Sequence, residues 1–224
     1  MGTKKNETKE PVCRRCGTCC RKSTPALHEE DIIRIGRSLA WEHLCTLRLG
    51  EMAFDNVEGR LKALEAEIVK LRSLPGSAEC VLFSSTEGCQ AYQDRPQECR
   101  VLFCEEPEAL AAMYEKGRIT RMDLLSGAPA LADAVRMHEE RCPQREVPAL
   151  CRKARTQDSE AVSALLGMAA LDAAIRKFLV ERGAAREEWL LFLLGRPFPE
   201  TIAPFGLSVR ESGGVYALET TRRI

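Results

Sequence analysis

Four cysteines lie within eight residues near the start of the chain, in the segment Cys13-Arg-Arg-Cys16-Gly-Thr-Cys19-Cys20. A buried structural cysteine is usually solitary and has apolar neighbours, whereas these thiols alternate with arginine, glycine and threonine. Each Cys-x-x-Cys step lets two thiolates converge on one metal ion through a tight turn, and Gly17 lets the backbone pass close to that ion. The segment therefore predicts metal ligation rather than core packing.

The adjacent pair Cys19 and Cys20 adds a second constraint on the metal site. Side chains of neighbouring residues tend to diverge, so these two thiols are not expected to bind the same tetrahedral ion. We therefore expect two metal centres, or one cluster with a second site beside it.

The number of cysteines and the polar N-terminus favour metal binding over a disulfide framework. The chain has 11 cysteines, an odd number that leaves at least one thiol unpaired in any disulfide scheme. Residues 1–10 are polar and lack the apolar core of a signal peptide, so we expect a flexible tail and a cytoplasmic location. Disulfides are rare in that reducing compartment.

The charge and hydropathy of the chain argue against two classes of partner. Lys plus Arg and Asp plus Glu each total 33, so no basic excess is present for binding nucleic acid. The most apolar run, at 189–194, is far shorter than the roughly 20 residues that a bilayer crossing needs. We therefore expect no nucleic acid and no membrane among the partners, while a protein partner stays open.

Apolar periodicity predicts a mostly helical chain. Helices are expected, in chain order, at 27–39, 57–71, 107–116, 131–141, 158–182 and 186–194. A small β-hairpin is expected at 205–218, where residues alternate around Gly213 and Gly214. The 57–71 stretch has the spacing of a heptad seam, which leaves a homodimer open; a helix on the protein's own core and a strand pair are the alternatives.

A second cysteine-rich region spans 79–105 and carries its thiols on short apolar pieces separated by polar loops. Loops of this kind can bring distant thiolates to one metal site. With Cys142, the two regions supply nine candidate ligands, enough for two four-thiolate sites with one to spare. These candidates are Cys13, Cys16, Cys19, Cys20, Cys80, Cys89, Cys99, Cys104 and Cys142.

These features predict a fold that is mainly α with small β elements, in which metal-stapled cysteine-rich loops pack on a helical region. The expected organisation is a flexible tail at 1–10, a cysteine-cluster metal-binding domain at 11–145, and a helical C-terminal region at 146–224 ending in the hairpin. Folding of such a chain should depend on the metal, because ligands that are distant in sequence gain free energy from converging only when the ion is present.

Thiolates are soft ligands that select zinc, copper(I) or iron–sulfur clusters. Four thiolates leave a zinc ion with a net charge of about −2, so basic residues beside the thiols, above all Arg21 and Arg100, could donate hydrogen bonds to sulfur. A solvated basic face is the alternative. His138 precedes Cys142 by four residues and could share a helix face with it, as a ligand or a donor; an exposed histidine is the alternative.

The cysteine motifs together carry a family resemblance. The motif at 13–20 is followed by Cys80-x-Leu82-Phe83 and by Gly88-Cys89-x-x-Tyr92-x-x-Arg95-Pro96-x-x-Cys99-Arg100. Over residues 13–143 the chain resembles the bacterial YkgJ-like cysteine-cluster family, which is described as a zinc- or iron-chelating domain. The flagellin lysine N-methylases carry a similar motif, for which an iron–sulfur cluster is implied.

The resemblance implies transition-metal binding without a defined reaction. The ligands that it implies are Cys13, Cys16, Cys19, Cys20, Cys80, Cys89 and Cys99, followed by Cys104 and Cys142. Cys45 and Cys151 match no motif, and Cys45 has the apolar neighbours of a buried free thiol. Three functions stay open: an iron–sulfur or iron site for electron transfer or redox sensing, a structural zinc site in an interaction module, and an enzyme with its metal near a substrate pocket.

Overall fold

The computed structural model of the chain describes residues 13–56, 58–103 and 107–221. Its α-helices are α1 (Thr18–Lys22), α2 (Gln97–Val101), α3 (Glu108–Met113), α4 (Arg121–Leu124), α5 (Pro129–Arg141), α6 (Val147–Ala154), α7 (Ser159–Glu181), α8 (Leu190–Leu193) and α9 (Phe198–Ile202). Its strands are β1 (Leu44–Leu47), β2 (Met52–Asp55), β3 (Arg60–Ala63), β4 (Ile68–Leu71), β5 (Phe83–Ser84), β6 (Gly88–Cys89), β7 (Leu207–Ser212) and β8 (Val215–Thr220). Turns of 3₁₀ helix lie at Glu29–Arg34, Trp41–His43, Gln144–Glu146, Glu187–Trp189 and Ala203–Phe205.

The strands pair as antiparallel ribbons of two strands each: β1 with β4, β2 with β3, β5 with β6, and β7 with β8. The β1–β4 ribbon lies in the core, because Leu44, Val69 and Leu71 are all buried. The β2–β3 ribbon is exposed, and its opposed residues Phe54 and Leu61 both face solvent. Strands therefore form part of the core of the region that carries the cysteines.

The prediction of a mainly α fold with metal-stapled loops is wrong. Helices account for 44% and strands for 20% of the structure, and antiparallel ribbons run through the cysteine-rich region. Within 13–56, 58–103 and 107–221, no three His, Cys, Asp or Glu side chains are grouped closely enough to hold a metal ion. Strand pairing and an apolar core hold the cysteine-rich segments.

Two of the predicted helices are replaced by strands and turns. The 57–71 stretch contains β3 and β4, so the apolar spacing that left a homodimer open does not form a helix face. Val57 lies outside the described residues. The 27–39 stretch contains only a 3₁₀ turn, in which Ile32 is 40% exposed. The physical reason is tertiary pairing, since the N–H of Leu27 donates to the carbonyl of Val69 and holds the chain extended beside β4.

Sequence signals were more successful in the C-terminal part of the chain. Asp158 caps α7, and its Oδ1 accepts a hydrogen bond of 2.9 Å from the backbone of Ala161. Gly183 follows the end of α7 in the left-handed conformation. The β7–β8 hairpin turns at Gly213 and Gly214, as predicted. None of the helices in the described ranges combines the length and the apolar character that a bilayer crossing needs.

Two apolar clusters form the described core. One contains Leu44 and Val69 from the β1–β4 ribbon and reaches Ile175 on α7 and Phe192 on α8. The other lies among α6, α7, α9 and β7, with Leu165 of α7 fully buried in it. Each large aliphatic side chain buried in this way contributes about 1.5–3 kcal/mol. Because α7 enters both clusters, it packs against the cysteine-rich region as well as against the C-terminal hairpin. The boundary at 145 stays a prediction.

Candidate metal centre

Backbone hydrogen bonds and strand pairing bring the two cysteine-rich segments together. Gly17 turns the chain with φ of 74° before α1, which carries Cys19 and Cys20. The N–H of Cys80 donates to the carbonyl of Cys20 at 2.8 Å and so fixes the second segment on the first. Strand β6 then places Cys89 opposite Phe83 of β5. Helix α2 adds Cys99 to the group.

Six of the predicted ligands share one neighbourhood. Cys20 lies within electrostatic range of Cys19, Cys89 and Cys99, and Cys89 lies within range of Cys13. Cys80 interacts with Cys89 and Cys19 in the same way. The cysteines that the fold gathers are thus Cys13, Cys19, Cys20, Cys80, Cys89 and Cys99. Cys16 is at the exposed rim of this group, and its Sγ lies 3.3 Å from Oγ1 of Thr18.

The two adjacent thiols converge, contrary to the expectation that they would diverge. The Sγ atoms of Cys19 and Cys20 lie 4.0 Å apart. Two thiolates on one tetrahedral zinc ion, each about 2.3 Å from the metal, are about 3.8 Å apart. The measured separation therefore allows both sulfurs to bind one ion or two neighbouring ions of a cluster.

The electrostatics of the six-thiol group favour a bound cation. Burial raises the pKa of the Cys80, Cys89 and Cys99 thiols, and the neighbouring thiols raise them further. Contact with Cys19, followed by burial, raises the pKa of Cys20. Several thiolates cannot stay ionised together in such a place without a compensating charge. A soft cation supplies that charge and releases the thiol protons.

Basic side chains near the site donate hydrogen bonds to backbone carbonyls rather than to sulfur atoms. Nη2 of Arg21 donates to the carbonyl of Cys16 at 2.8 Å, and Nε of Arg100 donates to the carbonyl of Arg95 at 2.9 Å. The predicted role of Arg21 and Arg100 as donors to sulfur is therefore not what the geometry shows. Tyr92 belongs to the cysteine motif, but the sequence indicated no role for its ring. The guanidinium carbons of Arg15 and Arg95 lie 3.7 Å and 4.3 Å from the centroid of that ring.

Cys142, a further predicted ligand, does not join the six-thiol group. Cys104 lies outside the described residues. Cys142 is buried at the end of α5, where its Sγ donates to the carbonyl of Met168 at 3.7 Å. Burial raises the pKa of Cys142 to about 11, and the nearby charges are those of Asp172 and Arg48. Its described contacts are therefore with α7 and the polar core.

His138 is not exposed, although its charged sequence neighbours suggested that alternative. It is fully buried, and its Nε2 lies 2.7 Å from Oδ1 of Asp172, which also binds Arg176. Burial lowers the pKa of His138, and its Nδ1 bonds to no described residue. A neutral ring that donates from Nε2 to Asp172 accounts for both observations.

A cavity of 1260 Å³ opens beside the six-thiol group. Its walls include Cys19, Cys20, Cys80, Cys89 and Cys99 together with Lys70, Glu98, Tyr114 and Arg118. Sequence reasoning missed this cavity because its walls come from segments that are distant in the chain. One available signal was a lysine between Val69 and Leu71 in an otherwise apolar strand.

A buried ion pair forms part of the same wall. Glu98 accepts a hydrogen bond of 2.8 Å from the N–H of Ala26, and its other oxygen lies 3.3 Å from Nε2 of His28. Nδ1 of His28 lies 2.7 Å from the carbonyl of Lys116, which can only accept. Burial disfavours the charged ring, but the bonds to Glu98 and Lys116 outweigh it and raise the pKa of His28. His28 and Glu98 therefore form a charged pair, so that Glu98 has its counter-ion.

Several cysteine thiols lie together on one cavity wall, and a group of soft ligands of this kind is typical of a cysteine-cluster protein. Residues 12–116 match the model of the family CxxCxxCC, which is described as a "Putative zinc- or iron-chelating domain". The family whose cysteine motifs this chain resembles is therefore the one that residues 12–116 match, and the resemblance is confirmed over that range. Comparisons with curated proteins and with solved structures found no significant match.

Proposed function

We propose that the chain binds iron, as an iron–sulfur cluster or as iron ions, for electron transfer or redox sensing. The single observation that carries this proposal is the number of thiols in one place. Six cysteines share a neighbourhood, whereas one tetrahedral ion takes four. The ligands in this proposal are Cys13, Cys19, Cys20, Cys80, Cys89 and Cys99, with Cys16 at the rim and Cys104 and Cys142 as the remaining sequence candidates.

The donor chemistry fits this assignment. All the gathered side chains are thiols, which are the usual ligands of iron–sulfur clusters. The cavity beside them leaves room for a cluster that is wider than a single ion. When bound, iron supplies reversible one-electron chemistry. Binding requires rotation of the cysteine side chains towards one another, since no three of the described ones are already at metal-binding spacing.

The second candidate is a structural zinc site in an interaction module. The 4.0 Å separation of the Cys19 and Cys20 sulfur atoms favours it. This value is close to the distance between two sulfur atoms bound to one tetrahedral zinc ion. In that case Arg21 and Tyr92 would stabilise the loops around a closed site without redox chemistry.

Metal analysis of protein purified without oxygen separates the two candidates. Iron, zinc and acid-labile sulfide are quantified per chain, and the visible absorption spectrum is recorded. Iron with sulfide and a visible charge-transfer band is the expected result. A colourless preparation with stoichiometric zinc and no iron contradicts the iron proposal and supports the structural site.

Substitution of single cysteines tests which thiols bind the metal. Cys20→Ser should lower the metal content per chain strongly, because it removes a thiol in contact with Cys19 at the centre of the group. Cys151→Ala is the matched control, since Cys151 is fully buried in the second apolar cluster with no cysteine among its described neighbours. Equal metal content in the two variants would contradict the ligand assignment.

A further inference from the structure

Two partly buried basic side chains of the cavity wall, Arg118 and Lys70, have no ion-pair partner among the described residues. Arg118 lines the cavity, and its guanidinium carbon lies 4.2 Å from the ring centroid of Tyr114. Its Nε and Nη2 atoms are fully buried and bond to none of the described residues. Lys70 reaches the same cavity from β4, and its side chain makes no hydrogen bond or ion pair within the described part of the chain. Burial lowers the pKa of Lys70, so an anion beside it would favour its charged form. Buried polar groups are rarely left unpaired, so these donors require an explanation.

The unpaired atoms of Arg118 are the two that usually hold a carboxylate. Nε and Nη2 lie on the same edge of the guanidinium and form the fork that binds both oxygens of an acid. Arg48 uses this edge in the same molecule, with Nε 2.6 Å from Oε1 and Nη2 3.0 Å from Oε2 of Glu139. Arg121 uses it for Glu67, with Nε 3.0 Å from Oε2. Arg118 therefore differs from Arg48 and Arg121, because none of the described acids binds this edge of its guanidinium.

The buried acids around the cavity are already occupied. Both oxygens of Glu98 are engaged, one by the backbone of Ala26 and the other by His28. Both oxygens of Glu67 bind Arg121, through its backbone N–H and its guanidinium. Asp55 is paired with Lys62 at 2.6 Å. None of these acids forms an ion pair with Arg118 or Lys70, although Glu98 lies within electrostatic range of Lys70.

The remaining walls and the mouth of the cavity restrict the kind of anion further. Leu82 and Phe83 line the interior and are largely buried, so they offer an apolar surface to the body of a ligand. The exposed part of the lining carries one lysine, Lys22, and more acids than bases, namely Glu29, Glu65, Glu108 and Glu115. Repulsion from these acids disfavours a dianion or a phosphate more than a single carboxylate.

We propose that this cavity binds a small organic monocarboxylate. The carboxylate pairs with the Nε–Nη2 edge of Arg118 and with Lys70, and the apolar body lies against Leu82 and Phe83. The ligand thereby shares a wall with Cys20, Cys80 and Cys99. This site goes beyond metal binding and does not depend on which metal the thiols hold.

Calorimetric titration of the purified full-length chain with benzoate tests the proposal. Benzamide serves as the neutral analogue and phthalate as the dianion, and the iron and zinc contents of each preparation are measured separately. Saturable binding of benzoate is expected, with affinity at least about tenfold higher than that of benzamide or phthalate. Absence of saturable benzoate binding, or equal affinity for benzamide, overturns the proposal whatever the metal content.

Variants identify the side chains that hold the carboxylate. Arg118→Gln and Lys70→Met should each weaken benzoate binding by about tenfold or more. Arg182→Gln is the matched control, because Arg182 also stacks on an aromatic ring, that of Phe178, but does not line the cavity. If Arg118→Gln fails to fold by circular dichroism, Lys70→Met decides the question. If a folded Arg118→Gln or Lys70→Met variant binds benzoate with unchanged affinity, the proposal is overturned. That result is expected if the carboxylate binds the metal instead.

Discussion

Gly17 shows how a single residue shapes the site. It adopts φ of 74°, and a Cβ atom there would lie 2.6 Å from Cε2 of Phe83 and 2.8 Å from Nη1 of Arg21. Phe83 pairs with Cys89 in the β5–β6 ribbon, so the missing side chain allows α1 and its thiols to approach that ribbon. The sequence predicted that the backbone at this glycine passes close to a metal ion. The structure shows that the approach is to an aromatic ring.

Replacement of Gly17 by alanine should therefore affect both stability and metal binding. The left-handed conformation costs a residue with a side chain about 1–2 kcal/mol, and the contact with Phe83 adds to this. Thermal unfolding and metal analysis would measure the two effects. Gly76→Ala is the control, because Gly76 has φ of 68° with nothing within 4 Å of the added atom. Equal results for the two variants would show that the contact with Phe83 has no role.

Buried polar side chains join helices α5 and α7. His138 of α5 contacts Oδ1 of Asp172 on α7, and Nε of Arg176 donates to Oδ2 of the same acid at 2.8 Å. The backbone N–H of Phe198 also donates to Asp172, at 3.1 Å. Burial favours the neutral acid, but the bonds from His138 and Arg176 outweigh it and lower the pKa of Asp172. Asp172 therefore connects α5, α7 and α9.

Asp172→Asn should destabilise the protein strongly. The change leaves Arg176 as a partly buried charge without its partner, and removal of one member of a buried pair costs about 3–5 kcal/mol. Asp133→Asn is the control, because the Asp133–Arg136 pair on α5 is largely exposed and should contribute less than about 1 kcal/mol. Urea unfolding measures both variants. Similar midpoints for the two would contradict a structural role for Asp172.

The buried His138 should make stability fall as the solution becomes acidic. Burial lowers the pKa of His138, whereas a histidine in the unfolded chain takes up a proton below about pH 6.5. The unfolded state thus binds more protons below that pH, and the stability associated with the neutral ring is lost as pH falls. Between about pH 7.5 and 5.5, His138→Gln should reduce this loss by about 1 kcal/mol. Urea unfolding at the two pH values measures this loss of unfolding free energy. An equal loss in the wild type and in His138→Gln would mean that the ring is protonated in the folded state.

In the whole molecule, an apolar core spans the cysteine-rich region. Leu27, Leu44, Val69 and Leu71 are buried together, and they pack in the same cluster as Phe192 near the C-terminal end. Leu82 and Phe83 of the second cysteine segment belong to the same cluster, and Cys20 of the first segment packs against it.

Metal removal should therefore leave most of the fold intact. After treatment with a chelator, we expect little change in far-ultraviolet circular dichroism and retained protection of β1, β4, α5 and α7 in hydrogen exchange. Faster exchange should be confined to 13–22 and 80–101, which contain the gathered thiols. Global loss of protection would mean that the metal, rather than the core, holds the chain together.

Local signals in the sequence correctly predicted several elements. Asp158 and Gly183 bound α7 because a cap and a stop act through neighbouring backbone groups. The 57–71 stretch failed for the opposite reason. Its apolar spacing suits a helix, but Ile68–Leu71 pairs with Leu44–Leu47, and this partner is more than 20 residues away.

The sequence by itself determined that the chain carries a soft-ligand site, because the identity and close spacing of the thiols at 13–20 are sufficient for that conclusion. Only the tertiary structure decided that Cys80, Cys89 and Cys99 join them, that Cys142 packs on α7, and that Arg118 lines a cavity beside them. The physical reason is the range of the interactions involved. Donor type and turn geometry are local properties, whereas convergence of side chains and unpaired charge depend on which distant segments the core brings into contact.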